Sequence, residues 1–390
     1  MNTVLASGMD PALGTVINAA VEMAPHVAVA HPRRPTASEH EIASHSTLAR
    51  RLAGLLDAEY AEYDAPTLSG RRVYYVPAHT LVGRAQAAAL GIRAEHHLYG
   101  GVVPHAYVAT KAISHPLHRP HDAQPPGWAA DLGAELGESV LPGYTAFSLG
   151  DASAAALALL RDGPVRLKLP EANAGRGQTV VRDAAQLQAA LAGCDSADVR
   201  AHGLVIEANL TGEVRTFSVG SVGIPGLQAA YVGTQELTPD NGGALVYGGS
   251  TLHVVRGGYD ELLDGGLSDD ERQAVQLARH YDATVQRHYP DLLASRRNYD
   301  VALGLDARGA RRMGVLEQSW RAGGASMAEI AALEAFRADP ALRKVTAYTR
   351  ERYGAEHPRP QEDHLVFHGE DSAVGHISKS GGITHHGGAE

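Results

Sequence analysis

Apolar residues fall in short clusters along the chain, and their spacing within each cluster alternates between strand-like and helical. Val27-Ala28-Val29-Ala30 reads as a short buried strand and Val73-Tyr74-Tyr75-Val76 as a second. Between them, Ser38-Glu39-His40-Glu41 has the form of a capping box, in which side-chain oxygens accept from the free N–H groups of a helix start. Ile42, Leu48, Leu52 and Leu55 follow at helical spacing. A helical stretch from Ala85 to Leu90 leads to a third apolar run, Leu98 to Val103. Strands alternating with helices predict a parallel α/β unit, since parallel neighbours need a crossover between them.

The pattern then changes. Leu117 to Pro126 is rich in Pro and His and reads as a loop, and Asp151 is expected to cap an alanine-rich helix running to Leu160. Val165-Arg166-Leu167-Lys168-Leu169 is strand-like, and a glycine-containing loop leads from it to Thr179-Val180-Val181. Asp183, with Gln186 three residues on, caps a helix through Leu191. Leu204 to Glu207 and Val214 to Val219 predict further strands, and Gly223 to Gly258 alternates like antiparallel strands joined by turns. Ser268-Asp269-Asp270-Glu271 caps a long helix to His288. Val301 to Leu305 and Met313 to Leu316 then flank the turn Asp306-Ala307-Arg308-Gly309 as a hairpin, and Glu329 to Phe336 is a late helix. From Tyr353 onward polar residues, Pro and His dominate, and Gly381 to Glu390 is expected to fray. The first two dozen residues lack a basic segment, and Asp10, Pro11 and Gly14 interrupt any apolar run, so they read as a poorly ordered leader rather than a signal peptide.

Composition narrows the function classes. A net charge of -10 over 390 residues argues against nucleic acid or an anionic membrane as the main partner. It allows a polyanionic ligand only where Lys and Arg are concentrated locally. The single cysteine, Cys194, excludes an intramolecular disulfide framework and fits a reducing compartment. No apolar run reaches the length of a membrane span, and the expectation is a soluble, cytoplasmic protein.

The segment from Val165 to Val181 carries the clearest chemistry. Lys168 stands on a strand, Gly175 and Gly177 stand in the loop after it, and a second strand follows. A lysine supplies a point charge for phosphate, and glycines let backbone N–H groups approach the oxygens. No Gly-Lys-Ser/Thr opens a helix here, so this is not a P-loop, and Gly175-Arg176-Gly177 leads to a strand where a dinucleotide fingerprint would need a helix. Alone, the hairpin reads equally well as a structural turn.

The order of other features adds to it. Thr110-Lys111-Ala112 and Val140 to Phe147 lie upstream, and downstream come Glu207 to Leu210, Glu213-Val214-Arg215, Asp300 and Glu317-Gln318-Ser319. This order resembles the ATP-grasp superfamily from about Val27 to Ser326. The finer resemblance is to a bacterial family within it, domain of unknown function 3182, through Tyr99-Gly100-Gly101-Val102-Val103-Pro104-His105, Ser295 to Asp300 and Leu316 to Gly324. The resemblance implies α/β and α+β architecture, an ATP-grasp fold preceded by a Rossmann-like (pre-ATP-grasp) α/β domain. The implied layout is a leader over 1–25, the N-terminal domain over 26–118, a lid lobe with the glycine loop over 119–210, a C-terminal lobe with the metal site over 211–350 and a tail over 351–390.

It also implies roles. Lys111 and Lys168 would contact the α- and β-phosphates of ATP, and Gly175 and Gly177 would form a flexible lid loop. The stretch from Glu207 to Leu210 would be a hinge binding adenine partly through main chain, Glu213 would reach the ribose, and Arg215 would stabilise charge at the γ-phosphate. Asp300 and Glu317 lie on opposite arms of the expected hairpin, where antiparallel pairing can bring two carboxylates together to hold Mg²⁺, with Ser319 as a further ligand. The bland alternative for each acid is a solvated strand end. Ser319 stands where the superfamily pattern has Asn, and Glu171 places a negative charge near the phosphates unless it turns away or pairs with Arg176.

The expected activity is that of a carboxylate–amine ligase. MgATP would activate a small-molecule or peptide carboxylate as an acyl phosphate for attack by an amine or similar nucleophile, with room for a homodimer. A kinase on the same fold and a non-catalytic nucleotide-binding protein are the alternatives. No His-Glu-x-x-His and no cysteine pair points to zinc. His105 and His115 flank Lys111 and could line a cleft, and Arg256 and Arg297 could clamp a carboxylate or phosphate with their planar forks.

Overall fold

The computed structural model describes residues 27–31, 36–170, 177–362 and 364–386. The expected leader lies outside them, as do residues 171–176 of the glycine loop, among them Glu171, Gly175 and Arg176.

Strands β1 (Val27–His31), β2 (Glu59–Glu62) and β3 (Val73–Pro77) form a parallel sheet in the order β2-β1-β3. The helix Glu39–Leu55 crosses over it, its start closed by the capping box in which Ser38 N donates to Glu41 Oε2 at 3.1 Å. Strands β4 (Leu81–Val82) and β5 (Gly101–Val103) pair in parallel. The run from Leu98 is a strand only over its last three residues, because Gly100 adopts φ +140° and turns the chain after Leu98 bridges to Tyr75.

Strands β6 (Gly143–Ala146), β7 (Val165–Lys168), β8 (Gln178–Val181) and β9 (Leu204–Ala208) make an antiparallel sheet in the order β6-β9-β7-β8. Ala152, Ala155 and Ala156 of the helix Leu149–Leu159 and Leu187 and Leu191 of the helix Ala184–Ala192 pack on Val165, Leu167 and Ile206. Ser148, not Asp151, caps the first of these helices. Its backbone is extended, and its Oγ accepts from Asp151 N at 3.1 Å.

The remaining strands build the centre of the molecule. They are β10 (Thr211–Ile224), β11 (Leu227–Pro239) and β12 (Leu245–Arg256), then β13 (Leu293–Ala294), which pairs with β5, then β14 (Arg296–Leu305), β15 (Arg311–Ser319), β16 (Lys344–Tyr353), β17 (Leu365–Gly369) and β18 (Ile377–His386). All but β13 form one antiparallel sheet of eight strands, ordered β15-β14-β10-β11-β12-β16-β18-β17. Side chains alternate between its faces. Phe217, Val219 and Val301 pack under the helix Asp269–His288, and Tyr231, Leu252 and Ala347 pack under the helices Ser326–Ala338 and Glu39–Leu55.

The polar C-terminal stretch holds β17 and β18, so residues 381–386 lie in a strand where the end was expected to fray from Gly381. Its strands extend the sheet, and two glycines explain why its sequence looks unlike a strand. A Cβ at Gly381 would stand 2.6 Å from Met327 Cβ, and one at Gly382 would stand 1.9 Å from His364 Nδ1. Among the described residues no helix is long and apolar enough to cross a membrane.

Candidate functional site

Lys168 ends β7, and Glu207 stands beside it on the neighbouring strand β9. Both are buried, at 2% and 1% exposure. Lys168 Nζ lies 2.6 Å from Glu207 Oε1, and His115 Nε2 lies 3.2 Å from the other carboxylate oxygen. Burial pushes the Glu207 carboxyl up, but the Lys168 charge and then the His115 hydrogen bond more than reverse this and hold it at about 2. His115 reaches this position because β6 passes close over its ring. A Cβ at Gly143 would meet His115 Cε1 at 2.7 Å.

The turn holding His115 begins with the second lysine. Thr110 Oγ1 accepts from Ala112 N at 3.2 Å and caps the short 3₁₀ turn Lys111–Ser114. Lys111 is buried, and its Nζ lies 2.6 Å from Glu317 Oε2 on β15. Residues 111–115 therefore join the two sheets, with Lys111 reaching the large one and His115 the small one. Gln318 fixes this turn from below: its Nε2 donates to Val108 O at 3.1 Å and Thr110 O at 2.6 Å, and its Oε1 accepts from Tyr281 at 2.9 Å.

Asp300 on β14 stands directly opposite Glu317, with a bulge in the ladder between Asp300 and Val301. Bulges re-aim side chains beside functional sites. Asp300 Oδ1 accepts from Gln235 Nε2 at 2.7 Å and from Asn298 Nδ2 at 3.1 Å. Burial first, and then the Glu317 charge, push its carboxyl up to about 7. Two facing carboxylates suit Mg²⁺, which binds through one or two carboxylates and keeps other positions for water or phosphate. Ser319 pairs with Asn298, the next step along the same face, and its Oγ accepts from Arg296 Nη1 at 3.4 Å.

The structure thus brings Lys111, Lys168, Glu207, Asp300, Glu317 and Ser319 to the two sheets joined by the Lys111 turn. Gly177 adopts φ +63° at the edge of the loop. Leu210 follows Asn209, whose Nδ2 donates to Leu210 O at 2.8 Å and whose Oδ1 accepts from Arg166. Glu213 is exposed at the start of β10.

Arg215 is not brought to the cluster. It lies on the opposite face of the sheet from Asp300, since Asp300 pairs with Ser218 while Arg215 covers the Phe217 ring at 5.6 Å and pairs with Asp270 at the start of the helix Asp269–His288. Strand alternation is the cause. Arg256 closes the end of the helix Ser326–Ala338 through the carbonyls of Phe336, Asp339 and Leu342, and Arg297 pairs with Glu95 and Asp282, so neither guanidinium is an open clamp. His105 stacks on Tyr107 with ring centroids 5.5 Å apart. Gln318 and Arg296 lie in stretches that carry the resemblance, but no role was assigned to them because the motif shows no partner for either, and Gln235 lies in no motif at all.

Comparison with known proteins agrees with this architecture. A family model described as "Protein of unknown function (DUF3182)" matches residues 28–381. N5-carboxyaminoimidazole synthetase from Staphylococcus aureus, solved with ADP, superposes with a TM-score of 0.51 at 9% identity over 92% of this chain and 93% of that one. Biotin carboxylase from Campylobacter jejuni, solved with a βγ-ATP ligand, superposes with a TM-score of 0.51 at 10% identity over 93% and 88%. At such identity the likeness is one of fold, and the fold is ATP-grasp with an N-terminal α/β region. No curated protein matches the chain by sequence.

Proposed function

The chain belongs to the family described as protein of unknown function DUF3182, and we propose that it binds MgATP and transfers the γ-phosphoryl group to a carboxylate. The carrying observation is the pair of buried lysines, each 2.6 Å from a carboxylate, one of which faces a second acid across β14 and β15. In this reading residues 26–118, 119–210 and 211–350 are the three lobes around the nucleotide. Lys168 and Lys111 exchange their carboxylate partners for phosphate oxygens. Glu207 to Leu210 face the adenine, and Glu213 is near enough in sequence to serve the ribose. Asp300 and Glu317 would hold Mg²⁺, with Ser319 alongside, and the metal would supply charge neutralisation at the transferring group. Arg215 has no part in this reading.

A carboxylate oxygen of the substrate attacks the γ-phosphorus while the bond to the bridging oxygen of ADP breaks, leaving an acyl phosphate. An amine then attacks the acyl carbon, loses a proton and releases phosphate. The lysines would position the phosphates and offset their charge. The expected partner is a small-molecule or peptide carboxylate. Screening carboxylate and amine pairs for ADP release tests the reading, and the outcome against it is ADP release that no carboxylate stimulates. Ser319, with its hydroxyl facing Arg296, favours a second reading in which nucleotide binds without turnover. ATP binding with no Mg²⁺-dependent ADP release separates the two.

A further inference from the structure

A buried ion pair lies behind the Asp300–Glu317 hairpin. Arg296 is 1% exposed and Glu329, on the helix Ser326–Ala338, is 0% exposed. Arg296 Nε lies 3.0 and 3.1 Å from the two Glu329 oxygens and Nη2 lies 2.7 Å from Oε1. Its remaining nitrogen, Nη1, donates to the carbonyls of Ser319 at 3.2 Å and Arg321 at 2.7 Å. On the carboxylate side, Tyr99 donates to Oε2, and the Tyr231 hydroxyl lies 2.6 Å from Oε1 and 2.9 Å from Asn298 Oδ1. Asn298 in turn donates to Asp300.

The three stretches that carry the family resemblance meet in this network. Tyr99 and Gly100 come from the first, Arg296 and Asn298 from the second, Ser319 and Arg321 from the third. Ser295 Oγ donates to Leu98 O at 2.6 Å, and a Cβ at Gly101 would stand 2.7 Å from Trp320 Cβ, so the three backbones are in close contact as well.

Stability alone does not account for the pair. Replacing a buried ion pair with apolar residues of similar size is often neutral or stabilising. The geometry suggests a different task. The bulge between Asp300 and Val301 interrupts the ladder on the turn side of the carboxylates, so the hairpin's own pairing does not fix their spacing from that side. Arg296 holds both arms from the other end: it belongs to β14 and grips the last carbonyl of β15, Ser319, and that of Arg321 just past it. We infer that Arg296 and Glu329 are positioning residues for the divalent-cation site, setting the separation of Asp300 and Glu317 and tying it to the N-terminal region through Tyr99. This rests on the proposal that Asp300 and Glu317 hold Mg²⁺.

The test uses the full chain with Arg296→Met/Glu329→Leu, and Tyr231→Phe as the milder change. The readout is the MgCl₂ concentration that gives half of the Mg²⁺-dependent rise in melting temperature at saturating ATP, beside ATP binding without metal. Outer partners of metal ligands typically alter affinity about tenfold or more. The double variant is expected to stay folded, to keep its metal-free ATP binding, and to need about ten times more Mg²⁺. Should the double variant fail to fold, Tyr231→Phe, which cuts the link from Glu329 to Asn298, is expected to shift the Mg²⁺ midpoint in the same direction. Folded variants with the wild-type Mg²⁺ midpoint overturn the inference and leave the nucleotide reading intact. A wild type without any Mg²⁺-dependent response overturns both.

Discussion

Lys168 and Lys111 each reach a carboxylate at 2.6 Å, yet the two pairs sit in unlike surroundings. The first is closed. Both oxygens of Glu207 are engaged, by Lys168 and His115, and its carboxyl is held at about 2. The second is open: Glu317 pairs with Lys111 and stands opposite Asp300, whose carboxyl is pushed up to about 7 by burial and then by the Glu317 charge. An added divalent cation would relieve the second arrangement and has no place in the first. The difference separates a phosphate lysine stored in a dry, neutralised pair from an acidic face short of positive charge.

The largest effect should come from breaking the closed pair. Removing one partner of a buried ion pair costs about 3–5 kcal/mol, because the other charge is left uncompensated. Lys168→Met is expected to lose that much in urea unfolding at pH 7, and adding Glu207→Gln should recover most of it. Equal stability of the single variant and wild type would contradict the closed arrangement.

Asp300→Asn sharpens the other side. A carboxyl raised to about 7 from 3.8 in the folded state is stabilising only while protonated. Its contribution is therefore full below about pH 4, is lost as pH rises to about 7, and totals on the order of 4 kcal/mol at about 1.4 kcal/mol per pH unit. Without metal, the Asn variant should gain on wild type across that window, and it should lose the response to Mg²⁺. Urea midpoints that run parallel from pH 4 to 8 would remove the like-charge account.

His115→Asn takes one partner from Glu207 and should cost about 1.5–3 kcal/mol at pH 7. A carboxyl lowered from 4.5 to about 2 stabilises above pH 4.5 and loses this as pH falls toward 2. The deficit of the variant should therefore shrink in acid. The smallest effect is expected from Arg215→Ala, since its pair with Asp270 is half-exposed and such pairs give about 0.2–1 kcal/mol. Its nucleotide-dependent thermal shift should match that of wild type; a lost shift would return Arg215 to the site.

Periodicity and capping made most of the fold legible. Ser38 and Glu41, Ser268 and Glu271, and the turn at Asp306 mark their elements correctly because these signals are local. The C-terminal strands were not legible, because the neighbours that require Gly381 and Gly382 lie far away in sequence. At the site, the proximity of Asp300 and Glu317 followed from a recognisable hairpin, although only the bulge beside Asp300 sets Glu317 opposite it. The placement of Arg215 did not. One residue of alternation decides which face a side chain takes, and the nearest motif contains both faces. Nor could a sequence show that Glu207 pairs with His115, since that contact depends on how β6 passes His115 at Gly143.

The central claim is a nucleotide site built on Lys168. The measurement is the melting temperature of the full chain with ATP, with and without Mg²⁺, for wild type and for Lys168→Met/Glu207→Gln, in which neither buried charge remains. Ligand at 100 times its dissociation constant stabilises by about 2.7 kcal/mol. The account predicts a Mg²⁺-dependent rise of that order in wild type and its loss in the folded double variant. No rise with any nucleotide in folded wild type, or an equal rise in the variant, would contradict it.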